Sequence, residues 1–188
     1  MKKYQIIYAD PPWEYGNWGK NSNKGSRKDT FRPEINIDKP LPYSTMTIKE
    51  IKSLSVELIA DINCDLYIWV TQKYLPEIFG VIKVWGFKYC QTLIWCKKPR
   101  GLGQGGLYCP TTEFLILARK GKMPTDKRRE DSTWWQIKRP HNSHSTKPEF
   151  FRDLIEKVSN EPRIELFARE KIKGWDVWGN EVENDIEI

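Results

Sequence analysis

Two periods of apolar positions run through the chain and divide it into strands and helices. Ile6-Ile7-Tyr8-Ala9 is a short apolar run of the kind that forms a buried strand. Asp10-Pro11-Pro12-Trp13 must end it, because prolines cannot continue a central strand. A long polar loop covers about residues 14–42, a length that marks a lid, a contact loop or an insertion. Thr47-Ile48-Lys49-Glu50 then reads as a capping box, and Ile48, Ile51, Leu54, Leu58 and Ile59 follow at near-helical spacing, with a break near Ser53–Ser55. Leu66–Val70 predicts a strand, and Leu75, Ile78, Phe79, Ile82 and Trp85 a helix stopped by Gly86. Strands are predicted over Tyr89–Cys96, Thr112–Ala118 and Arg163–Ala168. Between the last two, Thr146-Lys147-Pro148-Glu149 resembles a second capping box, opening a helix with Phe151, Leu154, Ile155 and Val158 as its buried stripe. Residues 182–188 read as a frayed acidic tail.

Strands alternating with helices predict an α/β fold, a mostly parallel sheet with helices on both faces. With 188 residues and no repeat, low-complexity tract or linker, the expectation is one domain over residues 1–188. In such sheets ligands bind beyond the carboxyl ends of the strands. Asp10-Pro11-Pro12-Trp13 falls at such an end.

Composition narrows the class. Charged residues at 30% against 39% hydrophobic exclude a disordered chain, and no apolar run is long enough to span a membrane. Met-Lys-Lys leads straight into a strand rather than a signal sequence, and the four cysteines (Cys64, Cys90, Cys96 and Cys109) form no C-x-x-C pair, so a cytoplasmic, reduced protein is expected. Cys90 and Cys96 are read as small core residues on strands. His141 and His144 supply two ligands, too few for a zinc site, so no metal is expected. The excess of 31 Lys+Arg over 25 Asp+Glu suits a polyanionic partner without demanding one. Arg119-Lys120-Gly121-Lys122 and Lys127-Arg128-Arg129 are either solvated faces or phosphate contacts. Trp13, Trp18, Trp134 and Trp135 stand in polar, loop-like contexts. The G-x-G-x-G-G run at Gly101–Gly106 opens no helix and carries no dinucleotide reading.

The acid, the prolines and the aromatic together suggest a chemistry. An exocyclic aromatic amine is a poor nucleophile because its lone pair is delocalised into the ring. A site that accepts both of its N–H hydrogens lets the nitrogen leave the ring plane and aim that pair at an electrophilic carbon. Asp10 offers one acceptor, and the Pro11-Pro12 turn offers carbonyls without competing N–H donors. Trp13 offers either a face for a stacked base or a core contact. By average usage, D-P-P-W arises by chance in about one chain of this length in a few thousand.

A-D-P-P-W, L-P-Y-S-T-M, L-Y-I-W-V, L-I-W-C-K, H-S-T-K-P-E, I-E-L-F-A-R and G-W-D-V-W-G-N-E occur in that order. With these motifs, from about Tyr4 to Glu181, the chain resembles the MT-A family of S-adenosylmethionine-dependent N6-adenine methyltransferases, bacterial and phage members included. The resemblance implies a Rossmann-like methyltransferase fold with permuted motif order. It implies S-adenosyl-L-methionine as cofactor and adenine-containing nucleic acid as partner. Asp10, Pro11, Pro12 and Trp13 would form the catalytic loop, with Asp10 also near the cofactor. Tyr43, Trp95 and Glu113 would line the substrate side. Lys147, Phe167, Arg169 and Asn180 would hold the cofactor.

Taken one at a time, these residues also have bland readings. Lys147 could be a solvated first-turn lysine, though a lysine at a helix N-terminus is unfavourable unless an anion sits there. Phe167 could be core, Arg169 a solvated strand end and Asn180 a turn residue.

Two departures from the family's eukaryotic catalytic subunit stand out. Its acidic cofactor contact lies upstream of the catalytic strand, in a segment this sequence lacks, so an adenine end that is more open or differently built is expected. The 14–42 loop is also longer than its counterpart. The expected activity is methyl transfer to adenine N6, on DNA in preference to RNA. The alternatives are a non-catalytic nucleic-acid-binding scaffold, or a methyltransferase acting on cytosine N4 or protein glutamine.

Overall fold

A computed structural model describes residues 2–14, 44–98, 108, 110–123, 129–140 and 146–188. The strands are β1 (Tyr4–Ala9), β2 (Ala60–Val70), β3 (Lys88–Lys98), β4 (Thr112–Lys120), β5 (Trp134–Lys138), β6 (Arg163–Leu166) and β7 (Asp176–Trp178). They form one sheet in the order β5-β3-β4-β2-β1-β6-β7. The pairs β1–β2, β1–β6, β6–β7 and β3–β5 are parallel. β4 alone is reversed, antiparallel to both β2 and β3. This is the mostly parallel α/β sheet expected from the sequence, and it has one consequence for function. The carboxyl ends of β1, β2, β3 and β6 and the amino end of β4 share an edge.

Helices cover both faces. On one, Ile51 of α1 (Ile48–Ser53) and Ile78, Val81 and Ile82 of α2 (Leu75–Val84) pack with Ile7, Ala9, Leu66 and Ile68. On the other, Phe151, Leu154 and Ile155 of α3 (Phe150–Val158) pack with Ile6, Tyr8, Tyr67, Trp69 and Leu115. Successive β1 side chains point to opposite faces, and both faces are covered, which is why its apolar run is unbroken. Each fully buried aliphatic side chain contributes about 1.5–3 kcal/mol.

The first capping box forms. Thr47 Oγ1 accepts from the Glu50 N–H at 3.3 Å, and Glu50 Oε2 accepts from the Thr47 N–H at 2.7 Å. Leu54 is extended (φ −65°, ψ 133°) and ends α1, and a 3-10 turn over Val56–Leu58 follows, so the break near Ser53–Ser55 is real.

Several expectations are corrected. The helix after Thr146 opens later than the capping box predicts: α3 starts at Phe150, and Glu149 stands at its cap in helical conformation without a side-chain cap bond. Trp134 and Trp135 lie on strand β5, at the sheet edge, where an exposed strand face leaves Trp134 60% accessible. Trp18, His141 and His144 lie outside the described residues. Cys90 is exposed and Cys96 half-buried, because the β3 side of the sheet is only partly covered; among the described cysteines Cys64 is the buried thiol, pushed up to about 12 by burial. Because β4 is reversed, Arg119 and Lys120 lie at the edge opposite Asp10. There Arg119 forms a fork on Asp65 (2.5 and 2.8 Å) rather than a phosphate contact beside the site. Residues 182–188 are docked rather than frayed. Asp185 accepts from the Val177 N–H at 2.9 Å and from Lys171 at 3.1 Å, while Ile186 and Ile188 pack on the core.

Candidate active site

Asp10, Pro11, Pro12, Trp13, Trp69, Val70, Thr71, Glu113, Lys147 and Arg169 line one cleft at the shared strand edge, with about 360 Å³ of empty space partly open to solvent. Each element delivers its part by ending there. β1 stops at Ala9 and hands over to Asp10, β2 stops at Val70, and β4 starts beside Glu113. Lys147 arrives from the segment before α3, and Arg169 from the chain leaving β6.

Its charges form a chain. Lys147 Nζ lies 2.6 Å from Asp10 Oδ2 and 3.5 Å from Glu113 Oε2, and Lys97 bonds the other Glu113 oxygen. The Lys147, Lys97 and Glu113 side chains are each less than 15% exposed, whereas Asp10 is a quarter exposed and so opens to the cleft. Burial pushes the Asp10 carboxyl above its ordinary value, and Lys147 only partly offsets that. For Glu113, burial also acts upward, but Lys147 and Lys97 outweigh it and hold this carboxyl below its usual range. Two carboxylates 103 positions apart in sequence are thus set to different affinities for a proton by how they share cations.

The turn after Asp10 is fixed by its own backbone. The Trp13 N–H donates to the Pro11 carbonyl at 2.8 Å, leaving that oxygen one free lone pair, and the Met46 N–H donates to the Pro12 carbonyl at 2.8 Å. Trp13 is 3% exposed, stacks on Tyr74 (centroids 5.1 Å apart, planes 22° apart) and donates Nε1–H to the Trp69 carbonyl at 3.2 Å. Trp13 thus makes the core contact: one side of its ring belongs to Tyr74, and the residue lines the cleft as a largely buried wall. Behind the cleft, Trp69 Nε1–H donates to Tyr8 Oη at 2.6 Å, a buried bond that fixes the strand β2 wall to β1.

The other expected residues are placed as follows. Trp95 is buried behind the cleft, against Trp69, with its Nε1–H on the Ile137 carbonyl at 3.0 Å, so it backs the wall rather than lining it. Phe167 has a left-handed backbone (φ 64°), uncommon for a non-glycine residue, and its ring packs edge-on against Trp178 at 5.5 Å. That sharp turn carries the chain from β6 into Ala168 and Arg169. Arg169 lies 3.6 Å from Glu181. Asn180 is exposed, in the turn after β7. Tyr43 lies outside the described residues. Sequence reasoning missed Trp69, Val70 and Thr71, although the carboxyl end of a predicted strand was the signal for them.

Sheet order, covered faces and the location of this cleft are those of a Rossmann-like α/β methyltransferase fold. Comparison with known proteins narrows it further. Residues 4–181 match the family model MT-A70, and the chain belongs to that family of methyltransferases. It is 36% identical over 198 residues to the Type II methyltransferase M.MunI of Mycoplasma sp, an alignment covering all of this chain and 82% of that protein. It is 26% identical over 176 residues to the N(6)-adenosine-methyltransferase MT-A70-like protein of Drosophila melanogaster. It is 25% identical over 176 residues to the N(6)-adenosine-methyltransferase catalytic subunit METTL3 of Homo sapiens. Both of those alignments cover 90% of this chain but only about a quarter of the longer proteins (25% and 26%).

Proposed function

We propose that this chain, as a single methyltransferase domain over residues 1–188, transfers a methyl group from S-adenosyl-L-methionine to the N6 amine of adenine in nucleic acid. The observation that carries the reading is Asp10, a carboxyl acceptor opening to the cleft with the free lone pair of the Pro11 carbonyl beside it. An amine needs two such acceptors to leave the ring plane. DNA is proposed over RNA, and the paired DNA and RNA substrates of the test below decide between them. The setting is the cytoplasm, where Cys64, Cys90 and Cys96 remain thiols.

The donor set fits the cofactor's chemistry. A methionine-derived sulfonium carries a carboxylate, an ammonium and ribose hydroxyls, and the cleft offers cations at Lys147 and Arg169 and an anion at Asp10. Phe167 and Asn180 would flank its adenosine. When bound, it supplies a methyl carbon made electrophilic by the positive sulfur. Asp10 accepts one N–H of the amine and takes the proton that the nitrogen sheds once methylated, then passes it to solvent. Pro11 accepts the second N–H. Lys147 favours the anionic form of Asp10 against its burial, and Glu113 keeps Lys147 in place. Catalysis comes from positioning, and the base must be single-stranded or flipped to reach the cleft.

The test is incubation with labelled S-adenosyl-L-methionine and single- or double-stranded DNA and RNA, with nucleosides identified by mass spectrometry and Asp10→Ala as control. N6-methyladenine that disappears in the control is the expected result. N4-methylcytosine, or cofactor binding without any methylated nucleoside, would overturn the reading.

A further inference from the structure

Thr71 holds a position in the cleft that its local structure does not explain. β2 ends at Val70, paired with Phe114 of β4, so Thr71 and Glu113 are the next residues along these two neighbouring strands. Thr71 lines the same cleft as Asp10 and Pro11. Its Oγ1 is buried and makes no hydrogen bond. Burying a hydroxyl unpaired is costly, so such atoms call for a reason.

The usual reason is missing here. Thr71 is the N-cap of a 3-10 turn over Gln72–Tyr74, the place where a threonine hydroxyl ordinarily accepts a backbone N–H. It does not do so, because the Tyr74 N–H already donates to the Thr71 carbonyl at 3.0 Å. Among the described residues, the other buried side-chain atom without a partner is Arg163 Nε, whose guanidinium is already held through Nη1 by Glu161 at 2.9 Å. Thr71 has no second atom to compensate. Valine would fill the same space without the penalty, so the hydroxyl is retained against the stability of the empty fold.

The surrounding groups indicate what it meets. Asp10 and Glu113 are acceptors, and Lys147 is engaged with both. An adenine presents a donor, its N6 amine, flanked by the ring nitrogens N1 and N7, both acceptors without hydrogen. The carboxylate and the Pro11 carbonyl serve the amine. A neutral donor for the adjoining ring nitrogen is what remains, and a hydroxyl is one.

We propose that Thr71 is a substrate-binding residue whose hydroxyl donates a hydrogen bond to the ring nitrogen, N1 or N7, beside the adenine amine. The proposal rests on the adenine reading above.

The experiment compares wild type, Thr71→Val and Thr71→Ser on oligonucleotides carrying adenine, 1-deazaadenine or 7-deazaadenine at the methylated position. Thr71→Val is expected to lose about tenfold in kcat/KM on adenine, the value of one neutral hydrogen bond, and Thr71→Ser to recover most of it. On the deaza analogue lacking the contacted nitrogen, wild type and Thr71→Val should become equal, and which analogue does so identifies N1 or N7. The melting temperature of Thr71→Val should stay level or rise, which a purely structural role would not produce. Thr71→Val within about twofold of wild type on adenine overturns the inference, as does a penalty that persists on both analogues. Wild type that forms no N6-methyladenine overturns the underlying reading instead, and the inference with it.

Discussion

Lys147 Nζ sits 2.6 Å from Asp10 Oδ2, joining residues 137 positions apart in sequence. The same ammonium lies 3.5 Å from Glu113, so one cation ties the carboxyl end of β1 to the amino end of β4, across the intervening β2. This cross-brace accounts for the site's shape and for its proton affinities, and most of what can be tested follows from it.

Asp10→Asn keeps the side chain's size and removes the anionic acceptor. Methyl transfer should fall by about 10²-fold or more, the scale of losing a charged group that acts on the reacting atom. Stability should move the other way. Burial raises the Asp10 carboxyl in the folded state, so the folded protein binds this proton more tightly than the unfolded one. Its contribution to stability is therefore fully present below the ordinary carboxylate value and is lost as pH rises through the raised one. Asparagine, which resembles the protonated acid, should melt at a higher temperature than wild type at neutral pH, with the gap closing in acid. Thermal melts across pH read this directly, and a variant less stable than wild type at neutral pH would contradict it.

Lys147→Met removes the cation that opposes burial at Asp10. The Asp10 carboxyl should rise further, and Glu113 should lose part of what holds it low. Because the anionic form of Asp10 is the active one, the acidic limb of the kcat/KM profile should shift to higher pH. Activity at high pH should recover more than activity at neutral pH. A profile that is lowered uniformly, with its limb unmoved, would show that Lys147 acts on the cofactor alone.

Much of this arrangement was legible in the sequence. The strand before Asp10, the capping box at Thr47 and the break at Leu54 follow from local rules, and local bonds make them in the structure. The edge on which Asp10, Glu113, Lys147 and Arg169 meet follows from strands ending where ligands bind. What failed was decided by tertiary partners. Thr146–Glu149 has the letters of a cap, but α3 opens at Phe150, with Glu149 itself at the cap. Trp134 and Trp135 sit among polar neighbours because β5 is an edge strand. The reversal of β4 could not be read from Thr112–Lys120 alone, and it decides that Glu113 is in the cleft while Arg119 is not. Thr71 escaped notice because an unpaired hydroxyl is a fact of three dimensions only.

Far from the cleft, the fork of Arg119 on Asp65 separates folding from catalysis. The Asp65 side chain is 5% exposed and that of Arg119 is 17%. Asp65→Ala leaves a partly buried guanidinium unpaired and should cost about 1–3 kcal/mol of stability. Chemical denaturation measures that loss. Activity per folded molecule should be unchanged below the melting transition, and a large fall in kcat there would show that the opposite edges of the sheet are coupled.

Gly179 tests how the cofactor side is held. A Cβ built on it would meet the Ala168 carbonyl oxygen at 2.2 Å and the Ala168 nitrogen at 2.8 Å, backbone atoms that cannot swing aside. Ala168 lies between Phe167 and Arg169, and its N–H donates to the Trp178 carbonyl at 3.0 Å. Gly179→Ala must therefore part the turn after β6 from the end of β7, the two segments that carry Arg169 and Asn180. Overpacking of this kind costs about 1–3 kcal/mol. Because Asp10, Pro11 and Glu113 are reached through other strands, the effect should fall on cofactor binding. The KM for S-adenosyl-L-methionine is expected to rise by about tenfold or more, with kcat at saturating cofactor changed much less. An unchanged KM in a variant whose melting temperature has dropped would mean that the Ala168–Gly179 contact supports the fold without positioning Arg169, and the cofactor would then have to be held from the Lys147 side.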